Sequence, residues 1–226
     1  MNVLVACEES QRVCIAFREK GHNAYSCDIQ PCSGGHPEWH IQGDVLEILN
    51  RNGGTEEFPV ISFFNQLNIY CAVDKWDLII AHPPCIYLSN AGAARLYPKK
   101  GVLNQERYEK GLQAKDFFMK IYNADCDKIY IENPIPTRIF GLPPYTQTTQ
   151  PYEHGHPYSK KTCLWLKGLS KLKPTNIVEP ICSWVSGGSK DNHGNKRKNC
   201  GMTFRDSKTK SKTFEGIARA MAEQWG

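Results

Sequence analysis

Trp76-Asp77-Leu78-Ile79-Ile80-Ala81-His82-Pro83-Pro84-Cys85 is a buried-strand pattern that runs without interruption into two prolines and a thiol. Each proline fixes its own backbone angle and removes a donor, so the strand ends on a stiff turn that presents Cys85 rather than burying it. Working outward, residues 2–7 read as a first buried strand, and Ser10 is placed to cap a helix over 11–20 that stops at Gly21. A second strand over 23–27 closes on Asp28; a loop rich in Pro, Gly and His follows (31–40), then a short strand near 40–43, Asp44, and a helix from about 45. Beyond Cys85, a helix over 105–123 carries Tyr108, Leu112, Phe118 and Tyr122 on one stripe, and the strand Lys128-Ile129-Tyr130-Ile131 leads into Glu132-Asn133-Pro134. Residues 162–166 form another strand, 168–212 a long polar excursion, and Phe214, Ile217, Ala218, Met221, Ala222 and Trp225 the apolar stripe of a closing helix. The aromatic segment 58–71 supports no assignment.

Strands alternating with helices, with polar residues gathered where strands stop, describe an α/β fold: a Rossmann-like, doubly wound, mostly parallel sheet with its ligand sites at the carboxyl edge. A length of 226 residues suits one domain spanning 1–226. No stretch approaches the roughly 18 consecutive apolar residues of a membrane span. The first strand turns acidic at Glu8 and Glu9, unlike a signal peptide, so a cytoplasmic location is expected. The ten cysteines include no Cys-x-x-Cys pair, and most are expected to be reduced core residues. Cys32, His36 and His40 share one loop, and Cys182, His193 and Cys200 another; neither set offers four ligands at a metal-site spacing, so no metal is expected.

The net charge of +5 is unevenly spread: Lys190 to Lys212 hold eight Lys or Arg against Asp191 and Asp206. A basic loop over a near-neutral body is the footprint expected of a polyanion partner, nucleic acid above all, the alternative being a solvated loop that keeps the protein soluble. The chemistry-bearing pair is Cys85 and Glu132. Two adjacent parallel strands open their terminal loops into one crevice, and a thiolate beside a carboxyl that can protonate a ring nitrogen suits addition to an electron-poor pyrimidine.

These segments resemble the cytosine-5 DNA methyltransferases, a family with a Pro-Cys nucleophile motif and a Glu-Asn-Val carboxylate motif. Pro84-Cys85-Ile86-Tyr87-Leu88-Ser89 keeps the family's serine four residues after the cysteine, and Glu132-Asn133-Pro134 differs in its last residue; the likeness covers 2–166 and the closing helix. It implies the S-adenosylmethionine-dependent methyltransferase version of the fold, with Cys85 and Glu132 catalytic and Lys160 and Lys161 standing where the family has its Gln-x-Arg-x-Arg cations. It implies S-adenosylmethionine as cofactor, held by Cys7, Glu8 and Ser10 of the first loop, Asp28 at the ribose, Asp44 and Val45 at the adenine, Pro84, and Gly216 of the closing turn. DNA is the implied partner, contacted by Ser89 and by Lys196, Arg197, Lys198 and Arg205.

The chain also departs from the family. Ala6-Cys7-Glu8-Glu9-Ser10-Gln11 contains no glycine where the family's first loop is rich in it, the arginine pair is absent, and His82 occupies a position that is small in the family. The basic excursion 168–212 stands in place of a target-recognition domain, as expected of a compact enzyme from a phage or mobile element. Three functions remain open on sequence: cytosine-5 methylation of DNA, pyrimidine methylation of RNA or a free nucleotide, and a catalytically silent shell that binds nucleic acid or protein. Oligomeric state and recognition sequence are not encoded legibly.

Overall fold

The structure, a computed structural model, describes residues 1–49, 59–64, 67–73, 75–184 and 207–226, with the backbone alone for 59–64, 67–72 and 207–208. β1 (Asn2–Ala6) is followed by α1 (Arg12–Glu19), β2 (Asn23–Asp28) and β3 (His40–Gln42). An antiparallel hairpin, β4 (Pro59–Phe64) and β5 (Leu67–Ala72), comes before β6 (Leu78–Ala81), the short α2 (Asn90–Ala93), α3 (Gln105–Tyr122) and β7 (Ile129–Pro134). The chain continues through β8 (Gln147–Thr149), β9 (Tyr158–Ser159), β10 (Thr162–Lys167), β11 (Cys182–Ser183), α4 (Ser207–Ser211) and α5 (Glu215–Trp225).

The main sheet has the order β3-β2-β1-β6-β7-β10-β8. Its first five strands are parallel and β10 runs antiparallel to both neighbours, which makes a Rossmann-like, mostly parallel α/β sheet. β6 lies at the centre because it can be covered on both sides: Leu78, Ile79, Ile80 and Ala81 are all 0% exposed. Alternate residues feed two cores. Leu4, Ala6, Ile79, Ile129 and Ile131 pack against Phe118 and Ile121 of α3, with Trp165 beside them. Val3, Val5, Leu78, Ile80 and Tyr130 pack against Val13 and Phe17 of α1 and Ile217, Met221 and Trp225 of α5. Burying one such aliphatic side chain is worth about 1.5–3 kcal/mol, so the strands that position the site are held chiefly by these two layers.

Several expectations are corrected. The helix anticipated from about 45 is, within the described residues, a single 3-10 turn over Val45–Glu47, capped by Asp44. The buried face of α3 is Gly111, Phe118 and Ile121, while Leu112 is 44% exposed. Gly111 explains the rotation: a Cβ there would lie 2.0 Å from Phe140, so the helix turns its bare backbone to that ring. Residues 58–71, unassigned from sequence, include the β4–β5 hairpin. Cys7, Cys14, Cys27, Cys32, Cys85, Cys126 and Cys163 carry free thiols, whereas Cys182 is disulfide-bonded.

Gly216, expected at the cofactor, instead seats α5. A Cβ on it would lie 1.9 Å from the carbonyl oxygen of His154, and its amide donates to Nε2 of His156 (3.0 Å). Gly216→Ala is therefore expected to cost about 1–3 kcal/mol through overpacking, read as a lower urea midpoint at unchanged slope. An unchanged midpoint would show that α5 docks without this close approach.

Candidate active site

β1 ends at Ala6, and the turn into α1 is made without glycine. Cys7 (φ 59°) and Gln11 (φ 57°) adopt the left-handed conformation themselves. For an L-residue this costs roughly 1–2 kcal/mol, so something must hold it. Gln11 does part of the holding: its Nε2 donates to the His36 carbonyl (2.7 Å), and its Oε1 accepts from the His36 amide (3.0 Å). Gly34 packs so closely on Gln11 that a Cβ would come within 2.5 Å. Ser10 does not cap α1, because Gln11 occupies the cap position. The buried Glu8 carboxylate serves instead, accepting from the amides of Val13 (2.8 Å) and Cys14 (3.2 Å). Burial pushes the Glu8 carboxyl above its ordinary value, while His82 and those two amides pull the other way.

This turn forms one wall of a cavity of about 600 Å³ at the carboxyl edge of the sheet. Cys7, Glu8, Ser10, Asp28, Asp44, Val45 and Pro84 line it, together with Glu9, His82, Phe117, Lys212 and Thr213, which the sequence did not single out as ligands. Asp28 accepts from the Gln30 amide and Asp44 from the Leu46 amide, both at 2.9 Å, so each carboxylate braces a local turn while facing the cavity. Gly216 is not on the wall. Lys212 reaches across to Oγ of Ser33 (3.1 Å), and the Ser33 amide donates to the Glu9 carbonyl (2.7 Å), tying the closing segment to the first loop. Burial, then Asp28, pushes the Cys7 thiol up, and burial raises Cys27 to about 12; both are inert.

Next to the cavity, β6 and β7 deliver the chemistry. Cys85 is half-buried on its proline turn. Burial raises its thiol, Lys160 lowers it and Glu132 raises it, so Lys160 and Glu132 are the charged groups that the sulfur senses. Glu132 accepts from the Tyr130 hydroxyl (3.3 Å), lies 3.6 Å from Nδ1 of His82, and is lowered overall: burial opposes ionisation, but His82, Lys160 and Tyr130 outweigh it. Lys160 itself donates to the Lys210 carbonyl (3.2 Å) and sits over the Phe214 ring (5.9 Å). Lys161 is exposed and turned away; its charge acts on Cys163, not on the Cys85–Glu132 pair.

Ser89 is also reassigned. It is 6% exposed and its Oγ caps α2 by accepting from the Gly92 amide (3.2 Å), which leaves it a bracing role. The loops after Cys85 and Glu132 are zipped together by Asn90 N to Ile135 O (2.9 Å) and Thr137 N to Leu88 O (2.8 Å). Arg107, missed from sequence, pins the first of them by donating to the carbonyls of Ile86 and Gly92 and lying over the Tyr87 ring. Ile86, Tyr97, Ile135 and Ile139 remain exposed on these loops. Lys196, Arg197, Lys198 and Arg205 lie outside the described residues. Among the described residues no three His, Cys, Asp or Glu gather as a metal site; His36 stacks on Trp39, and His40 bonds to Ser26 and the Gln30 carbonyl.

No family model matches the chain, and no curated protein does. Among solved structures it is similar to a candidate DNA modification methyltransferase encoded within an E. coli prophage, with 14% identity and a TM-score of 0.45 over 80% of this chain and 52% of that one. The chain thus spans about half the length of that protein, and the likeness is one of backbone architecture.

Proposed function

We propose that the protein transfers a methyl group from S-adenosylmethionine to C5 of a cytosine in DNA, with Cys85 as the nucleophile. The observation that carries this reading is the convergence of a presented thiol, a buried carboxylate and one shared cation, Cys85, Glu132 and Lys160, beside a nucleoside-sized cavity.

The cavity's chemistry supports the cofactor. In dinucleotide-binding sheets the first helix offers its free amides to a phosphate; here the Glu8 carboxylate already occupies them. Glu8, Glu9, Asp28 and Asp44 outnumber Lys212 and His82 in the lining, a balance that disfavours a phosphorylated ligand and suits an adenosyl group that carries a positive sulfonium and ammonium. Asp28, at the end of β2, would hold the ribose hydroxyls, and Asp44 with Val45 would meet the adenine. When bound, S-adenosylmethionine supplies an electrophilic methyl group.

The protein's own residues do the rest. The thiolate of Cys85 adds to C6 of the pyrimidine, Lys160 favours that thiolate and the anion of Glu132, and Glu132 holds ring N3. A base in a duplex would first have to leave the stack, at a cost of a few kcal/mol. The exposed Ile86, Tyr97, Ile135 and Ile139, with Arg95, Lys99, Lys100 and Arg138 on the same loops, provide apolar and cationic contacts to offset it. The raised Cys85 thiol favours a second reading, a binding shell that does not turn over.

Two measurements decide. Titration calorimetry is expected to give heat with S-adenosylmethionine and none with ATP, and Asp28→Ala to weaken the binding about tenfold, the loss of one charge-assisted hydrogen bond. ATP binding or an indifferent Asp28→Ala would remove the cofactor assignment. Mass spectrometry of nucleosides from DNA and RNA incubated with the protein and labelled cofactor should find 5-methylcytosine in DNA, abolished in a folded Cys85→Ser variant. Label confined to RNA would move the substrate class, full activity in Cys85→Ser would end the covalent mechanism, and no label in either polymer would leave the silent shell.

A further inference from the structure

His82 lies where β6 stops, on the same face of the sheet as Ile80, Tyr130 and Glu132. Its Nδ1 is 3.6 Å from Oε1 of Glu132, its ring meets the Tyr130 ring edge-on at 6.1 Å, and the two charged side chains are only 11% and 17% exposed. Neither imidazole nitrogen makes a hydrogen bond of ordinary length among the described residues, which leaves Nδ1 facing Glu132 as its ion-pair partner. Glu8, from the junction of β1 and α1, acts on the ring from the cavity side, and Lys160 opposes from the turn between β9 and β10. With Glu132 and Tyr130 of β7, these are the ionisable groups among the described residues that act on His82 or meet its ring.

We propose that His82 is a positioning residue that holds the proton Glu132 delivers to ring N3, a role that rests on the pyrimidine addition proposed above. Burial works against a charged imidazole, but Glu132 and Glu8 outweigh it and the group is raised overall. The carboxyl of Glu132 is lowered in turn. Both shifts favour an imidazolium beside a carboxylate, a pair in which the proton sits on His82 and not on Glu132.

As the Cys85 sulfur bonds to C6, the C5=C6 pair shifts to C4=C5 and the C4=N3 pair moves onto N3. N3 takes a proton from the Glu132 carboxyl, which draws one from Nδ1 of His82; the transfer needs the 3.6 Å separation to close only to hydrogen-bond length. When C4=N3 is restored, the proton returns by the same route and His82 is again a cation. His82 does not act on the thiol directly, since the sulfur senses Lys160 and Glu132. The pair also sets a stability window. Glu132, lowered on folding, contributes fully above 4.5 and loses that contribution as pH falls through its lowered value. His82, raised on folding, contributes fully below 6.5 and loses it as pH rises through its raised value.

Histidine-ring NMR titration of the full chain tests the coupling without any turnover. His82 is expected to titrate above 6.5 in the wild type and at or below it in Glu132→Gln. A normal value in the wild type, or no response to Glu132→Gln, would overturn the role. Exchange of the cytosine C5 hydrogen for solvent deuterium in an oligonucleotide tests the chemistry, because addition at C6 alone makes C5 exchangeable. The wild type should give a bell-shaped pH profile. His82→Gln should be about 100-fold slower near neutrality, with a rate that rises with pH and lacks the alkaline fall. An unchanged rate and bell in His82→Gln would overturn the role alone; no exchange by the wild type would remove the addition chemistry and the role with it.

Discussion

The carboxylate of Glu8 on the first amides of α1 is the contact on which the rest of the site depends. A helix beginning inside a protein leaves several amides without partners, and a buried carboxylate is costly unless donors surround it. Each deficiency meets the other here, and both are settled within one turn of chain. The position of α1 follows, and α1 with α5 closes one face of the sheet. The same carboxylate faces the cavity and the His82 ring, so one side chain links the helix, the ligand wall and the reactive edge.

Glycine's absence from the first loop illustrates how conformation can be retained while the residue type changes. Cys7 and Gln11 take the left-handed angles that glycine would take freely. The two bonds from the Gln11 side-chain amide to His36 offset part of that strain and tie the first loop to the segment before β3. The glycine-free loop is thus held in these angles by a clamp that only the folded chain reveals.

What could be read in advance was whatever is encoded by local period and turn chemistry. The run 78–81 into His82-Pro83-Pro84 and the stripe of α5 stand where their patterns placed them, and the strand expected over 128–131 is present but runs on through Glu132-Asn133-Pro134. Elements defined by distant pairing were not legible. β8, β9 and β11 have two or three residues each, too few for a pattern, and exist through their partners on β10 and on each other. Lys160 and Lys161 show the same limit at one position: successive residues on extended backbone face opposite ways, so both could be nominated but only one can reach the site. Ser10 lines the cavity as nominated but does not cap α1, because the competitor, Glu8, acts from five residues away; Ser89 caps α2, a use of a short hydroxyl that the sequence does not distinguish from a ligand contact. His82 could be weighed only as a neighbour of Cys85 in sequence; its partner stands on the adjacent strand.

β10 runs against its neighbours, so it starts at the carboxyl rim with Thr162, next to Lys160, and finishes at the opposite end of the sheet with Lys167. The chain then climbs back along α5, where Ser170 accepts from the Trp225 indole and Lys173 exchanges two hydrogen bonds with Gln224, and regains the rim at β11 beside β9. Trp184 rests on Tyr158 and Phe214, and Lys210 receives Lys160, so both ends of the stretch between 184 and 207 are moored at the mouth of the site. The antiparallel β10 therefore has the chain leave and re-enter the described part of the molecule at the carboxyl rim, and not at the opposite end of the sheet.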